Sequence, residues 1–357
     1  MVLDFAKEAL ENASTHSINF DELRAGKANI KVFGCGGAGC NMSTWLFNKG
    51  INGATIYGVN TDALHLSITK SDDKILIGKE LTRGLGCGGY PSKGREAAKE
   101  SVSDLKKAAG NADMVFILAG MGGGTGTGCS PVVAQLAKES GAVVIAVVTM
   151  PFECEKARID KAEFGLQELT EVVDTVIVID NNRLVDIAGN LPMEQAFAVA
   201  NELVSTMIKG IVETITLPSL INLDYADVSA IMKNGDVAVI GVGESDTTAR
   251  VDEAVRQALT HPLLDVDYKG ATGALIHITC GPDFKLEEFS GVGELVTENL
   301  SPEAQVIIGA RINKDFANKV RVITIMTGVK SPYILGKRAF KEETKGPQMS
   351  ELGIEVF

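Results

Sequence analysis

Three glycine-rich runs carry most of the chemistry legible in this 357-residue sequence. The first, Gly34-Cys35-Gly36-Gly37-Ala38-Gly39, follows a short apolar run and satisfies GxGxxG. Backbone amides at such a strand-to-helix turn can hold a phosphate, because glycine lets the chain approach closely and the helix N-terminus is electropositive. Asp62 follows at the end of the next apolar run, where a dinucleotide site places the acid that meets the ribose. This stretch alone points to a nicotinamide enzyme. The second run, Gly120 to Gly128, places a longer nest after a later strand, and a nicotinamide site needs one such turn, not two. Its six glycines, with Thr125 and Thr127, offer enough N–H groups and hydroxyls to wrap a di- or triphosphate. The third, Gly84-Leu85-Gly86-Cys87-Gly88-Gly89, could close over the terminal phosphate. No GxxxxGK[ST] loop supplies a lysine, so charge falls to backbone dipoles and a metal ion. Mg²⁺ is implied, and its protein ligands stay unassigned because it takes mostly water and phosphate oxygens.

These turns need a sheet to hold them. From Asn29 to Asp180, Val/Ile-rich runs alternate with helical stretches, the pattern of a parallel sheet covered by helices on both faces. Strands are predicted over Ile30 to Phe33, Thr55 to Val59, Met114 to Ala119, Val143 to Val148 and Thr175 to Ile179, with helices over Lys93 to Ala109 and Pro131 to Ser140. The fold class is therefore α/β, a doubly wound, mostly parallel sheet. A central helix over Met193 to Thr216, with Phe197, Val204, Ile208, Ile211 and Ile215 at three- and four-residue spacings, joins it to a smaller α+β unit. That unit has strands over Val237 to Val242, Gly273 to Thr279, Gln305 to Ala310 and Val320 to Thr327, with helices over Ala249 to Leu259 and Leu286 to Asn299. Residues 1–28 read as a helical extension, 29–192 as the nucleotide domain, 193–217 as the central helix, 218–330 as the second domain and 331–357 as a tail.

Composition narrows the partners. Lys plus Arg total 34 against 46 Asp plus Glu, and the net charge of -12 disfavours nucleic acid and anionic membrane surfaces. Met1 to Ala13 carries Asp4, Glu8 and Glu11 where a secretory signal would be basic, and Gly141 to Phe152 is too short to span a bilayer, so no membrane insertion is expected. Six cysteines show no zinc spacing and read as reduced side chains, although four lie in or beside glycine-rich turns and could be oxidised reversibly. Four histidines offer little to a dehydrogenase. Taken by residue type, the loop Asn222 to Asp227 is an Asx-type turn with solvated acids.

The run GGGTGTG at Gly122 to Gly128 resembles the signature of the tubulin/FtsZ family of assembling GTPases. GCGGAGCN (Gly34 to Asn41), VNTDAL (Val59 to Leu64), GLGCGGYPSKGREAAKES (Gly84 to Ser101), TMPFECE (Thr149 to Glu155) and NLDYADV (Asn222 to Val228) are similar to its FtsZ branch, in order across Asn29 to Gly328. The resemblance implies a cytoplasmic cytoskeletal GTPase that uses GTP with Mg²⁺, assembles head to tail with itself and works at the division site. It places phosphate contacts at Gly37, Ala38, Gly39, Cys40 and Asn41, at Gly86, Cys87, Gly88 and Gly89, and at Gly122, Gly123, Gly124, Thr125, Gly126, Thr127 and Gly128. Glu155 and Arg158 would meet the ribose, Asn181 and Asn201 the guanine edge, and Phe197 would stack on the ring. Asn222, Asp224 and Asp227 would complete hydrolysis on the neighbouring subunit. The chain departs from the family pattern at Cys40, Trp45, Asp180 and Asn201, and in a short tail whose end, Ser350 to Phe357, would dock a membrane tether or division regulator. The alternatives are a filament scaffold with little turnover and, distantly, the nicotinamide dehydrogenase.

Overall fold

The computed structural model describes residues 28–329 apart from 218, 222, 234–235, 261–269 and 299, so the expected N-terminal helix, the tail peptide and Asn222 lie outside the described residues. The first half runs β1 (Ile30–Cys35), α1 (Gly36–Lys49), β2 (Ala54–Asn60), α2 (Ala63–Ile68), β3 (Asp73–Leu76), α3 (Lys79–Thr82), α4 (Pro91–Glu100), α5 (Val102–Ala109), β4 (Met114–Gly120), α6 (Thr125–Glu139), β5 (Val143–Met150), α7 (Ala157–Thr170), β6 (Thr175–Asp180) and α8 (Asn181–Ala188). The central helix α9 (Met193–Thr216) leads to α10 (Tyr225–Lys233), β7 (Asp236–Ser245), α11 (Arg250–Leu259), β8 (Gly273–Cys280), α12 (Leu286–Thr297), β9 (Gln305–Ile312) and β10 (Val320–Thr327).

Strands β3-β2-β1-β4-β5-β6 lie side by side, and every pairing among them is parallel. Both faces of this sheet are covered, which is why its strands read as continuous apolar runs. In β4, Val115, Ile117 and Ala119 join the core under α4 to α7, while Met114, Phe116 and Leu118 face α1, α8 and α9. The strand order reverses between β1 and β4, and such a switch point opens a crevice at the carboxyl ends of the two strands.

The second unit is not a separate sheet. β7 pairs with β6 at two positions only, Thr175 with Asp236 and Val176 with Val237, and then carries the mixed order β7-β10-β8-β9. Helix α9 lies across both parts, its Met207, Ile208 and Ile211 sharing one core with Ile177 of β6 and Ile323 of β10.

Two helices differ from expectation. The predicted helix over 93–109 breaks into α4 and α5 at Ser101, whose hydroxyl accepts the Gly78 amide at 3.1 Å and so holds the chain out of helical continuation. Helix α6 starts at Thr125, six residues before the predicted Pro131, which lies inside it. Its glycines and threonines read as loop, yet small residues at a helix start leave the first amides open.

His277 of β8 is 4 % exposed and its Nδ1 has no partner among the described residues. Burial, helped by the Arg311 charge, pushes its pKa down to about 4. The unfolded imidazole takes a proton near pH 6.5 and the folded one only near 4, so stability falls as pH drops through that window and levels off below it. The expected loss is about 2 kcal/mol at pH 5 relative to pH 7.5. His277→Leu should flatten this dependence in urea titrations, and an unchanged slope would place the acid sensitivity elsewhere.

Candidate active site

The β1–α1 and β4–α6 turns meet at the switch point. Gly36 has φ +72°, and a Cβ there would fall 2.6 Å from the Gly126 amide nitrogen, so the two loops touch at this residue. Between and above them opens a cavity of about 290 Å³. Its floor is Gly37, Ala38, Gly123, Gly124, Thr125 and Gly126, and its walls are Thr149, Pro151, Glu155, Arg158 and Asn181. The first-turn amides of α1 and α6 have no carbonyl within their helices, and they open on this floor. A larger groove between α11 and α12 is lined by Asp252, Glu287, Glu294 and Glu298, and its charge makes it unfit for a polyphosphate.

Other predicted contacts stand around the cavity without lining it. Gly39 and Cys40 are buried behind the first turn, the Cys40 thiol touching the Gly34 and Val59 carbonyls, and Asn41 is exposed further along α1. Gly122 is buried beside Arg158. Thr125 shares a 2.7 Å hydrogen bond with Thr61, which in turn meets the Cys87 thiol at 3.4 Å. That chain ties the third loop to the nest, and Gly124 packs directly against Cys87 and Gly89. Gly86 and Gly88 thus flank the nest at one side. Thr127 differs from expectation, because its methyl lies against Gly165 of α7 and its buried hydroxyl has no partner among the described residues. The Gly128 amide is taken by the Gly124 carbonyl at 3.1 Å, and the residue serves contact with Pro91 of α4. Asp62 caps α2 by accepting the His65 amide at 3.0 Å, which removes the ribose acid of the nicotinamide reading.

Charge at the cavity is modest. Arg158 and Glu155 pair at 2.5 Å, and Glu155 also accepts the Phe152 amide, so the two side chains form one wall. Lys161, absent from the predicted set, reaches the Gly89 carbonyl at 2.8 Å and shares the Tyr90 ring with Lys93. These cations stand beside the third loop, and the one-turn offset of Lys161 from Arg158 on α7 is the signal that could have found it. Phe197 and Asn201 lie four residues apart on α9, and Phe197 meets Phe152 edge-on at 6.0 Å, next to the cavity wall at Pro151.

The loop acids lie elsewhere. Asp224 Oδ1 accepts the Asp227 amide at 2.8 Å, and Asp227 Oδ2 accepts the Asp224 amide at 3.3 Å, a reciprocal box that starts α10. Each carboxylate keeps its other oxygen outside the box. The Tyr225 hydroxyl donates to the Asp113 carbonyl at 2.8 Å, directly before β4. The acids therefore stand at the amino ends of the parallel strands and the cavity at their carboxyl ends, roughly 20 Å apart along seven-residue β4.

A model of the tubulin/FtsZ family GTPase domain matches residues 29–189, and one of the FtsZ family C-terminal domain matches residues 236–330. The "Cell division protein FtsZ 2" of Methanocaldococcus jannaschii is 53% identical over 340 residues, 94% of this chain and 89% of the relative. The chain belongs to the tubulin/FtsZ family. As a tubulin/FtsZ protein it is a GTP hydrolase, and its sequence lies close to several archaeal FtsZ proteins. That of Halobacterium salinarum is 49% identical over 348 residues, covering 96% of this chain and 88% of its own. An FtsZ dimer of M. jannaschii superposes with a TM-score of 0.79 at 50% identity, covering 90% of this chain and 92% of that one. CetZ2 from Haloferax volcanii shares the fold at 20% identity, with a TM-score of 0.74 over 88% and 96% of the two chains. No described helix is long and apolar enough to cross a membrane.

Five of the six cysteines of this FtsZ-family chain are buried and Cys154 alone is exposed. Burial pushes the Cys40 thiol up to about 11, and the Cys129 thiol beside Cys35 raises that pKa well above its usual value. Thiolates do the reacting, so iodoacetamide at pH 7.5 should modify one thiol in the native protein, at Cys154. Rapid labelling of Cys40 or Cys129 would restore the idea of oxidation at the site.

Proposed function

We propose that this chain polymerises head to tail and that GTP held in the cavity of one subunit is hydrolysed when Asp224 and Asp227 of the next reach it, in the assembly of a division ring. The observation that carries this reading is the placement of the acids at the opposite end of the sheet from the cavity, anchored to Asp113. No side-chain rotation covers such a distance. Stacking subunits along the strand direction does, because each then presents its acid end to its neighbour's cavity. Such a contact is heterologous, and it builds open filaments where its rotation does not close. The relatives' designation as cell division proteins supports the ring role.

In this reading the amides of Gly37, Ala38 and Gly123 to Gly126 cradle the phosphates, with Gly39 to Asn41, Gly122, Thr127 and Gly128 shaping the turns and Gly86 to Gly89 closing the side. Glu155 and Arg158 meet the ribose, while Asn181, Asn201 and Phe197 take the base. Asp224 and Asp227 orient the attacking water and accept its proton, Asn222 assisting. Among the described residues no group of three or more His, Cys, Asp or Glu could hold a metal ion, a donor set that suits Mg²⁺ carried on the phosphates. When bound, the ion neutralises charge building on the phosphates. The test is GTP turnover per subunit against protein concentration with Mg²⁺. Activity should rise steeply above a critical concentration, and turnover independent of concentration would refute completion by a neighbour.

A further inference from the structure

Two contacts, one from each half of the molecule, hold the acid loop. Ile221 and Ala310 exchange backbone hydrogen bonds at 3.1 and 3.2 Å, an isolated bridge on the outer edge of β9, the last strand of the sheet. Two residues on, Leu223 is 3 % exposed and lies over Gly309. A Cβ at Gly309 would stand 2.5 Å from Leu223 Cγ, 2.7 Å from its Cδ1 and 3.2 Å from the Ile221 carbonyl oxygen. Any side chain there must lift Leu223, and Asp224 is the next residue. On the other side Tyr225 is tied to Asp113, and Asp113 in turn accepts the Asn29 amide through its carboxylate at 2.7 Å. The far end of α10 is held by Thr175, whose hydroxyl donates to the Met232 carbonyl at 2.6 Å. Edge strand β9 is linked to the central helix by Arg311 and Glu213 at 3.4 Å.

We infer that Gly309 and Tyr225 are positioning residues that set the reach of Asp224 and Asp227 toward the neighbouring subunit, one seating the loop on the mixed part of the sheet and the other on its parallel part. The inference rests on the reading of those acids as hydrolytic. Neither residue lines the cavity, so neither touches the nucleotide of its own chain. Their effect is geometric, and misplacement of a catalytic group by about 1 Å can cost as much as 10²-fold in rate.

The experiment measures turnover per assembled subunit, with polymer mass fixed by sedimentation, alongside GTP affinity and melting temperature. Gly309→Ala should lower kcat about 10-fold or more with GTP affinity unchanged. Adding Leu223→Ala removes the atoms that clash and should recover several-fold of that loss, a coupling that simple destabilisation would not produce. Tyr225→Phe, which deletes one oxygen, should lower kcat several-fold while assembling normally. Asp227→Asn separates the two readings. If it is inactive while Gly309→Ala and Tyr225→Phe turn over like wild type, the positioning inference alone fails. If Gly309→Ala is slow, Leu223→Ala gives no recovery and Tyr225→Phe is normal, the inference also fails. Full activity in Asp227→Asn would overturn the role of the acids, and this inference with it.

Discussion

Asp227→Ala should bind GTP as wild type does and assemble with it, yet turn it over about 10²–10⁴-fold more slowly, the range for loss of a group that handles the proton of an attacking water. The binding half follows from distance, since Asp227 stands at the other end of the sheet from the cavity of its own chain. The stability cost should be small. Asp227 contributes one 3.3 Å contact to the cap of α10, while the shorter bond from its own amide to Asp224 survives the substitution. An exposed capping interaction of this kind is worth about 1 kcal/mol. Single-turnover hydrolysis in sedimented polymer, with nucleotide binding measured separately, checks the expectation. A variant that hydrolyses normally in polymer would remove Asp227 from the chemistry.

Gly36→Ala should fail at the earlier step. The residue has φ +72°, a region that costs an L-residue roughly 1–2 kcal/mol, and its new Cβ would press on the Gly126 amide at 2.6 Å. Gly126 belongs to the cavity floor, so relief of that contact displaces the second phosphate loop. GTP affinity should drop about 100-fold or more, close to 3 kcal/mol, with circular dichroism retained because β1 and α1 keep their packing. Titration with a fluorescent GTP analogue reads this directly. The two variants also complement each other. Gly36→Ala keeps its acids and Asp227→Ala keeps its cavity, so activity should reappear when they are mixed. A mixture as inactive as its parts would mean that sites are not shared between subunits.

Periodicity makes the large elements legible in the sequence itself. The central helix spans Met193–Thr216 and β10 spans Val320–Thr327, as their apolar spacing predicts. Strand β3 carried no such signal, since two of its four residues are exposed. The continuity of the sheet was also hidden, because β6 and β7 touch through two residue pairs that leave no trace in either strand's pattern. At the site, glycine runs located the phosphate floor but could not sort its members. Thr127 and Gly128 look like Thr125 and Gly126 in sequence, and only the direction of α6 turns the former pair toward α7 and α4. The second glycine of GxGxxG, Gly36, looks in sequence like its neighbours, and only the structure shows that the two phosphate loops touch there. Asp62 misled for the opposite reason, because an acid at a strand end serves equally well as a helix cap. By residue type the loop around Asp224 and Asp227 reads as an Asx-type turn with solvated acids, whereas the two side chains cap each other's amides in a reciprocal box at a helix start, a structural role fully compatible with a second one in chemistry.

The separation of cavity and acids along β4 has an arithmetic consequence for any filament built on it. If hydrolysis is completed by the neighbour as proposed, a row of n chains contains n − 1 completed sites, because the last cavity faces solvent and the first set of acids faces nothing. The two ends then differ in chemistry as well as in shape. On that mechanism one end would present intact triphosphate for as long as it stays terminal, and its nucleotide would begin to age only when the next chain arrives. Growth rate would be written into the length of the young zone behind that end, so a filament that stalls would lose its fresh tip without any outside timer.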